Sequence, residues 1–418
     1  MSAYVFPIKR QILLELDFLS SMGSKIFLYP FVDKTKTQLT GYVIMCIIVA
    51  CVNTQLFLTL LQTGTTDWLE FINIFPNFGV CVMTLIKYTK IQTNKEIYND
   101  IFCHFQEDMW DIVSSQSTRH RKCVKKYKNN TMIINRFLLY YSIPLTIVVD
   151  LFPYIVMVYE YRVLANGLVH LYPFDGWYPF DKVKWYAVAY IWESFMTAVV
   201  ICVYAFSNMI HASYIILICM ELRILGNCLE ELISPEDVIN IKAGRNVEEI
   251  HNAAVKKLKI IIAKHEFLAK KSSALDAILG DAMLLNYSLG SVFICLTAFT
   301  FTVVDSFYKQ VRYFFMCTSL LVEIFNQCLI GQILSDHSQA LAESIYASDW
   351  PNATPETKRM LLMLMMRTQK PFTLSGNGYI TMNMETFSRI CSTSYQILQD
   401  LLSFTNLSLC YTENYSAH

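Results

Sequence analysis

Seven segments of this chain are long and apolar enough to cross a lipid bilayer, and that limits the fold more than any motif does. About 30 Å of hydrocarbon needs roughly 20 apolar residues, at about 1.5 Å of helix rise each. The segments cover residues 41–61, 68 to about 88, 137–159, 185–209 with an apolar extension to 220, 283–304, 312–334 and 387–404. The composition agrees: 54% of residues are hydrophobic and only 16% are charged. Soluble domains carry about 25% charged residues. The expectation is an all-α membrane protein with seven transmembrane helices in a single domain, residues 1–418.

Orientation follows from the distribution of basic residues, because cytoplasmic loops carry an excess of Lys and Arg. With the N-terminus inside, only Arg162, Lys182, Lys184, Lys309 and Arg312 of the 34 Lys and Arg residues fall outside. The clusters RHRKCVKKYK (119–128) and KKLKIIIAK (256–264) are then cytosolic. Seven spans place the C-terminus outside, the inverse of a G-protein-coupled receptor. Residues 1–40 read as a cytosolic N-terminal segment, since Lys9, Arg10, Glu15 and Asp17 interrupt any signal-like apolar run.

Under this orientation the outside loops are short except 160–184, which is rich in aromatic residues. Inside, the stretch 221–282 carries apolar residues at 250, 254, 258, 261 and 262, one face of a helix. Together with 335–382 it is expected to form a cytosolic helical anchor. An amphipathic helix lying on the inner leaflet is the alternative.

The last segment, FSRICSTSYQILQDLLSF, is the least apolar of the seven. Ser392, Gln396, Gln399 and Ser403 recur at helical spacing, with Asp400 at the same edge. Ile390, Ile397, Leu398, Leu401 and Phe404 occupy the other side. Polar residues in a membrane face water or a bundle interior, since exposure to lipid is costly. The stripe therefore either bonds neighbouring helices of its own subunit or lines a pore shared by several copies. Asp400 favours water, because Arg389, about three turns away, is the only basic residue of this helix.

A second constellation lies in the outer halves of the spans. It comprises Phe71, Phe75 and Phe78; Asp150 and Tyr154; Tyr186, Tyr190 and Ser194; Thr297, Thr300 and Phe301; and Tyr313, Phe314 and Cys317. Aromatic walls with a few hydroxyls suit a small, mostly apolar, volatile ligand. Ordinary helix packing and interfacial aromatic belts explain many such residues individually.

Other functions lack support. The net charge is zero, which gives no argument for nucleic acid. The thirteen cysteines form no CxxC pair, and His265-Glu266 is not followed by the second His of a zinc motif, so no metal or cofactor is expected. Nucleophile elbows and phosphate-binding glycine loops are absent, and the chain does not read as an enzyme.

From about residue 265 to 402 the chain resembles the insect odorant receptor family. HEFLAKKSSALDAILGDAMLLNYSLGSVFICLTAF matches that family's run into its fifth span. The match continues through Tyr346 and Trp350, Lys370-Pro371 and the ending from Phe387 to Tyr395. The resemblance implies an odorant-gated cation channel of four subunits in a sensory-neuron membrane. An odorant-tuned chain is combined there with a shared co-receptor, and the seventh helices (here 383–407) line one pore. It also implies an odorant pocket among the second to sixth spans. Carried over through Phe387 and Tyr395, the family's apolar constriction falls at Asp400 or Leu401. The rival class is a metabotropic seven-helix receptor acting through a G protein.

Overall fold

The computed structural model describes residues 6–28, 36–64, 68–111, 113, 117–163, 170–174, 176–304 and 306–416, and along the last helix it describes side chains as far as Ser403. Phe404, expected on the apolar side of that helix, lies outside the described side chains.

The first helix, α1 (Phe6–Lys25), buries Ile12, Leu16 and Leu19. Their spacing of four and three puts them on one face, which packs against α5 and α7. The sequence suggests only a cytosolic segment here, and the helical face adds to it. The spans follow as α2 (Lys36–Thr63), α3 (Trp68–Thr93), α5 (Thr118–Asp150) continued by α6 (Phe152–Arg162), α7 (Tyr186–Glu230), α9 (Val247–Val303) and α10 (Phe307–Tyr346). Six of these helical units are long and apolar enough to cross a membrane. Shorter α4 (Lys95–Gln106), α8 (Pro235–Lys242) and α11 (Pro355–Thr368) join them. The seventh, α12 (Met384–Ser416), is 33 residues long, and its polar stripe lowers its apolarity below that of the six.

Local chemistry sets several boundaries. Ser117 caps α5 by accepting from the His120 N–H. Ser234 and Asp237 close a capping box on α8, and Thr354 caps α11. Pro153 enters at the start of α6, where its missing N–H interrupts the ladder carried from α5.

The helices run past the expected spans, α5, α7, α9 and α10 mostly toward one common end and α12 toward the other. At about 1.5 Å per residue, the 57 residues of α9 reach about 86 Å and the 45 of α7 about 68 Å, against about 30 Å of hydrocarbon. The surplus forms a helical bundle beyond the membrane, here called the anchor end. Within it α7 is central: every residue from Phe206 to Leu222 is buried, with α5, α9 and α10 packed around it. A largely apolar helix belongs in such a position, and several of its buried polar groups are bonded there: Asn208 to Lys87, His211 to Tyr98, Ser213 to Asn135 and Glu221 to His104. Between α11 and α12, a two-stranded hairpin pairs β1 (Ser375–Gly376) with β2 (Ile380–Thr381) and lies on α9.

Candidate functional site

At the end opposite the anchor, the described part of the 160–184 loop folds down onto the helices. Glu193, buried on α7, accepts from the Phe174 N–H at 2.8 Å, the Gly176 N–H at 3.1 Å and the Tyr178 hydroxyl at 3.1 Å. The Trp177 N–H donates to Thr59 Oγ1 at 2.9 Å, one turn below the end of α2. Gly176 passes so close to Gln55 that an added Cβ would stand 2.5 Å from Nε2. A single carboxylate thus satisfies the backbone of a lid that would otherwise bury unpaired donors.

The aromatic residues expected around a ligand fall into separate groups beneath and beside this lid. Phe71 stacks on Phe75 at 5.8 Å, and Phe75 meets Phe293 of α9 edge-on at 5.5 Å. Phe78 faces Phe57 of α2 at 6.0 Å. Tyr190 contacts Tyr154 at 6.2 Å and Tyr186 at 5.5 Å, and its hydroxyl donates to the Asp150 carbonyl. Asp150 Oδ1 and Ser194 Oγ are buried without a hydrogen-bond partner. Thr297, Thr300 and Tyr313 are buried, with Cys317 partly so and its sulfur 3.9 Å from the Ile294 carbonyl. Phe301 and Phe314 contact each other at 6.1 Å but are 40% and 54% exposed, turned toward the surface of the bundle.

Sequence reasoning missed what lies nearer the anchor end. A cavity of about 100 Å³ sits among α3, α5, α7 and α10, walled by Val80, Leu138, Tyr141, Val200 and Tyr204 and reaching Glu323. The hydroxyls of Tyr141 and Tyr204 are buried and have no partner. Beside the cavity, Lys87 Nζ lies 2.6 Å from Glu323 Oε1, with both side chains only 4% exposed. The same ammonium donates to Asn208 Oδ1 at 3.2 Å and sits 4.0 Å above the Tyr204 ring. Gln327 donates to Glu323 Oε1 at 2.9 Å and accepts from Asn286 at 3.0 Å. Lys87 counted in the sequence only as one more basic residue toward the cytosolic side; its partner stands 236 positions away.

The polar stripe of α12 faces away from its own protomer. Ser392, Gln396, Gln399, Asp400 and Ser403 are exposed, Leu401 is half-buried, and Ile390 and Ser394 are buried toward α9 and α10. Phe387 meets Phe325 of α10 edge-on at 5.4 Å. Gln399 Nε2 donates to the Tyr395 hydroxyl at 2.7 Å, along the helix itself. The start of α12 is fixed from behind. Ser375 of the hairpin bonds Asp276, Asn377 donates to Asp281 Oδ1 at 2.8 Å, and Lys90 of α3 pairs with Asp281 Oδ2 at 2.6 Å. A Cβ on Gly280 would overlap Asn377, so the hairpin needs glycine there to seat on α9.

This arrangement recurs in known proteins. The sequence pattern of the family described as 7tm Odorant receptor matches residues 67–395, most of the chain. The chain belongs to the insect odorant receptor family. Among receptors of Drosophila melanogaster, odorant receptor 13a is 20% identical over 333 residues, 75% of each chain. Odorant receptor 67a is 27% identical over 157 residues, 35% of this chain and 38% of that receptor. The chain likewise matches 36% of the length of odorant receptor 85f. In three dimensions it is similar to the olfactory receptor OR5 of Machilis hrabei, with a TM-score of 0.80 at 15% identity, over 94% of this chain and 99% of that one. The same receptor has been solved in complex with eugenol. The shared fold is a seven-helix membrane bundle, which makes this odorant receptor a multi-pass membrane protein.

Proposed function

We propose that this odorant receptor is a ligand-gated, non-selective cation channel subunit of the plasma membrane, odorant-tuned and assembled with a shared co-receptor, as a tetramer. The observation that carries the reading is the polar face of α12, which finds no partner helix among the described residues of its own protomer and is too polar for lipid. Around a common axis, several such faces enclose a wet path, and Gln396, Gln399, Asp400, Leu401 and Ser403 line it. Asp400 near the outer mouth attracts cations. The positive-inside bias puts the anchor end in the cytosol and the lid outside.

The ligand is a small volatile bound under the lid, in the region of Phe71, Phe75, Tyr190, Ser194 and Thr297. The eugenol complex of the structural relative supports a ligand of that size. A ligand shifts gating only as far as it binds the two states differently. Here α9 and α10 carry both Thr297 and Cys317 near the lid and the surface against which α12 packs. Odorant-evoked current recorded with a co-receptor subunit, and surviving G-protein inhibition, is the expected result. Current that requires a G-protein cascade, or an N-terminal tag labelled on intact cells, would overturn it in favour of a metabotropic receptor.

A further inference from the structure

We infer that the exposed basic face of α5, from Arg121 to Lys128, holds the headgroup of a phosphoinositide, a polyphosphorylated inositol lipid of the inner leaflet. The inference rests on the orientation given above, with the anchor end in the cytosol. It adds a lipid site that neither the pore nor the odorant region uses.

One stripe of α5 changes character along its length. Ile133, Phe137 and Tyr140 stand exposed on it and face lipid, and Arg136 beside them snorkels toward phosphate depth. Toward the N-terminus the same side continues through Asn129 into exposed Lys126, Lys125, Lys122 and Arg121, while Cys123, Val124, Tyr127 and Thr131 pack inward. Arg119, in the same cluster, is held by Glu230 and Glu231. Among the described residues, Arg121, Lys122, Lys125, Lys126 and Lys128 form no salt bridge. Acids on the neighbouring helices are committed. Glu230 also accepts from Ser344, and Asp336, next to the His337 that bonds Tyr127, accepts from Gln332. Exposed Arg223 of α7 adds a further cation near Cys123 and Tyr127.

Depth decides the kind of anion. The headgroup layer is about 5–8 Å thick on each side of a bilayer. Lys128 lies five residues, about 8 Å, below Ile133, where that layer ends. From there the cations continue for about 10 Å to Arg121. A phosphatidylserine headgroup keeps its one net charge within the layer, and the lowest cations stand beyond a Debye length of about 8 Å from it. A polyphosphorylated inositol ring projects out of the layer with several charges, so it meets Lys128, Lys125 and Lys126 together. A soluble polyanion would gain nothing from the lipid-facing continuation of the stripe. A protein that wraps basic helices cannot enclose this one, whose other face is buried in the bundle.

The test titrates the purified full-length receptor in detergent with a short-chain phosphatidylinositol bisphosphate and reads the thermal midpoint. Short-chain phosphatidylserine and soluble inositol trisphosphate are run beside it. The bisphosphate lipid is expected to protect at the lowest concentration. Lys125→Gln combined with Lys126→Gln should raise its half-maximal concentration about 30-fold. Lys256→Gln combined with Lys259→Gln removes the same charge from exposed positions of α9, about 36 Å or more beyond the membrane segment that begins near Met283, and should leave that concentration unchanged. Lipid-free midpoints equal to the native one establish that both double variants fold. Equal protection by phosphatidylserine, protection by the soluble trisphosphate at the same concentration as the lipid, or equal losses in the α5 and α9 variants would each overturn the inference. Any of these, with an N-terminal tag still shielded on intact cells, sinks the inference alone. A tag labelled on intact cells overturns the orientation, and the inner-leaflet source with it.

Discussion

Glu323→Gln removes one charge from a pair that is almost wholly shielded from solvent. The 2.6 Å contact between Lys87 and Glu323 corresponds to about 6 kcal/mol of Coulomb attraction at an effective dielectric constant of about 20, most of it offset by the loss of hydration of both ions. What the single substitution adds is an ammonium buried at 4% exposure with no counter-charge, held only by the new amide oxygen, Asn208 Oδ1 and the Tyr204 ring. Breaking a buried pair in this way costs about 3–5 kcal/mol. Lys87→Met leaves the mirror-image defect, with Gln327 alone donating to the carboxylate. The double variant Lys87→Met with Glu323→Gln contains no orphaned charge and should recover most of the loss, so the two sites couple by about 2 kcal/mol or more. Thermal midpoints of the purified receptor in detergent, measured for all four proteins, give the cycle. The reasoning fails if either single variant melts with the native receptor, or if the double variant loses as much as the two singles together.

Three further outcomes follow from other parts of the molecule. Asp400→Asn should change relative calcium permeability or divalent block while leaving the order of odorant potency intact; unchanged permeation with lost surface expression would mark Asp400 as a structural partner. Glu193→Ala strips the acceptor from two lid N–H groups and one phenol, at about 1.5–3 kcal/mol for each bond to a charged group, and should expose residues 170–184 to protease on intact cells. His265 lies 18 residues, about 27 Å, beyond the membrane segment of α9 that begins near Met283. Burial, with Arg367 adding repulsion, pushes its imidazole down to about 4 from its ordinary 6.5. A folded-state value below the unfolded one means that stability is present above pH 6.5 and declines as pH falls toward 4. His265→Gln should flatten that decline in a melting series, and an unaltered acid dependence would count against it.

Hydropathy and charge bias were enough to place six spans and to single out the seventh by its stripe. Both are properties of one segment at a time, which is why they could be read. The cytosolic extension of α9 was legible as the apolar face at 250, 254, 258, 261 and 262, whereas the end of α7 was not, because its burial there depends on the helices packed around it. Ile12, Leu16 and Leu19 of α1 carried a readable face, and its mixture with Lys9, Arg10, Glu15 and Asp17 hid it. The aromatic list for the ligand region named residues at suitable depth but could not tell which way a ring turns. Phe301 faces outward while Phe293, four positions from Thr297 and absent from the list, packs against Phe75. Lys87 and Glu323 are a long-range pair, and no periodicity along either helix reports it.

The unbroken course of α9 has a mechanical consequence. Thr297 near the lid and Leu258 deep in the anchor lie on the same uninterrupted rod, about 58 Å apart. A rod of that length turns each degree of tilt at one end into about 1 Å of travel at the other. A few degrees of tilt beneath the lid therefore arrive at the far end as a movement of several ångströms, and the anchor is the long arm of a lever whose short arm ends at the lid.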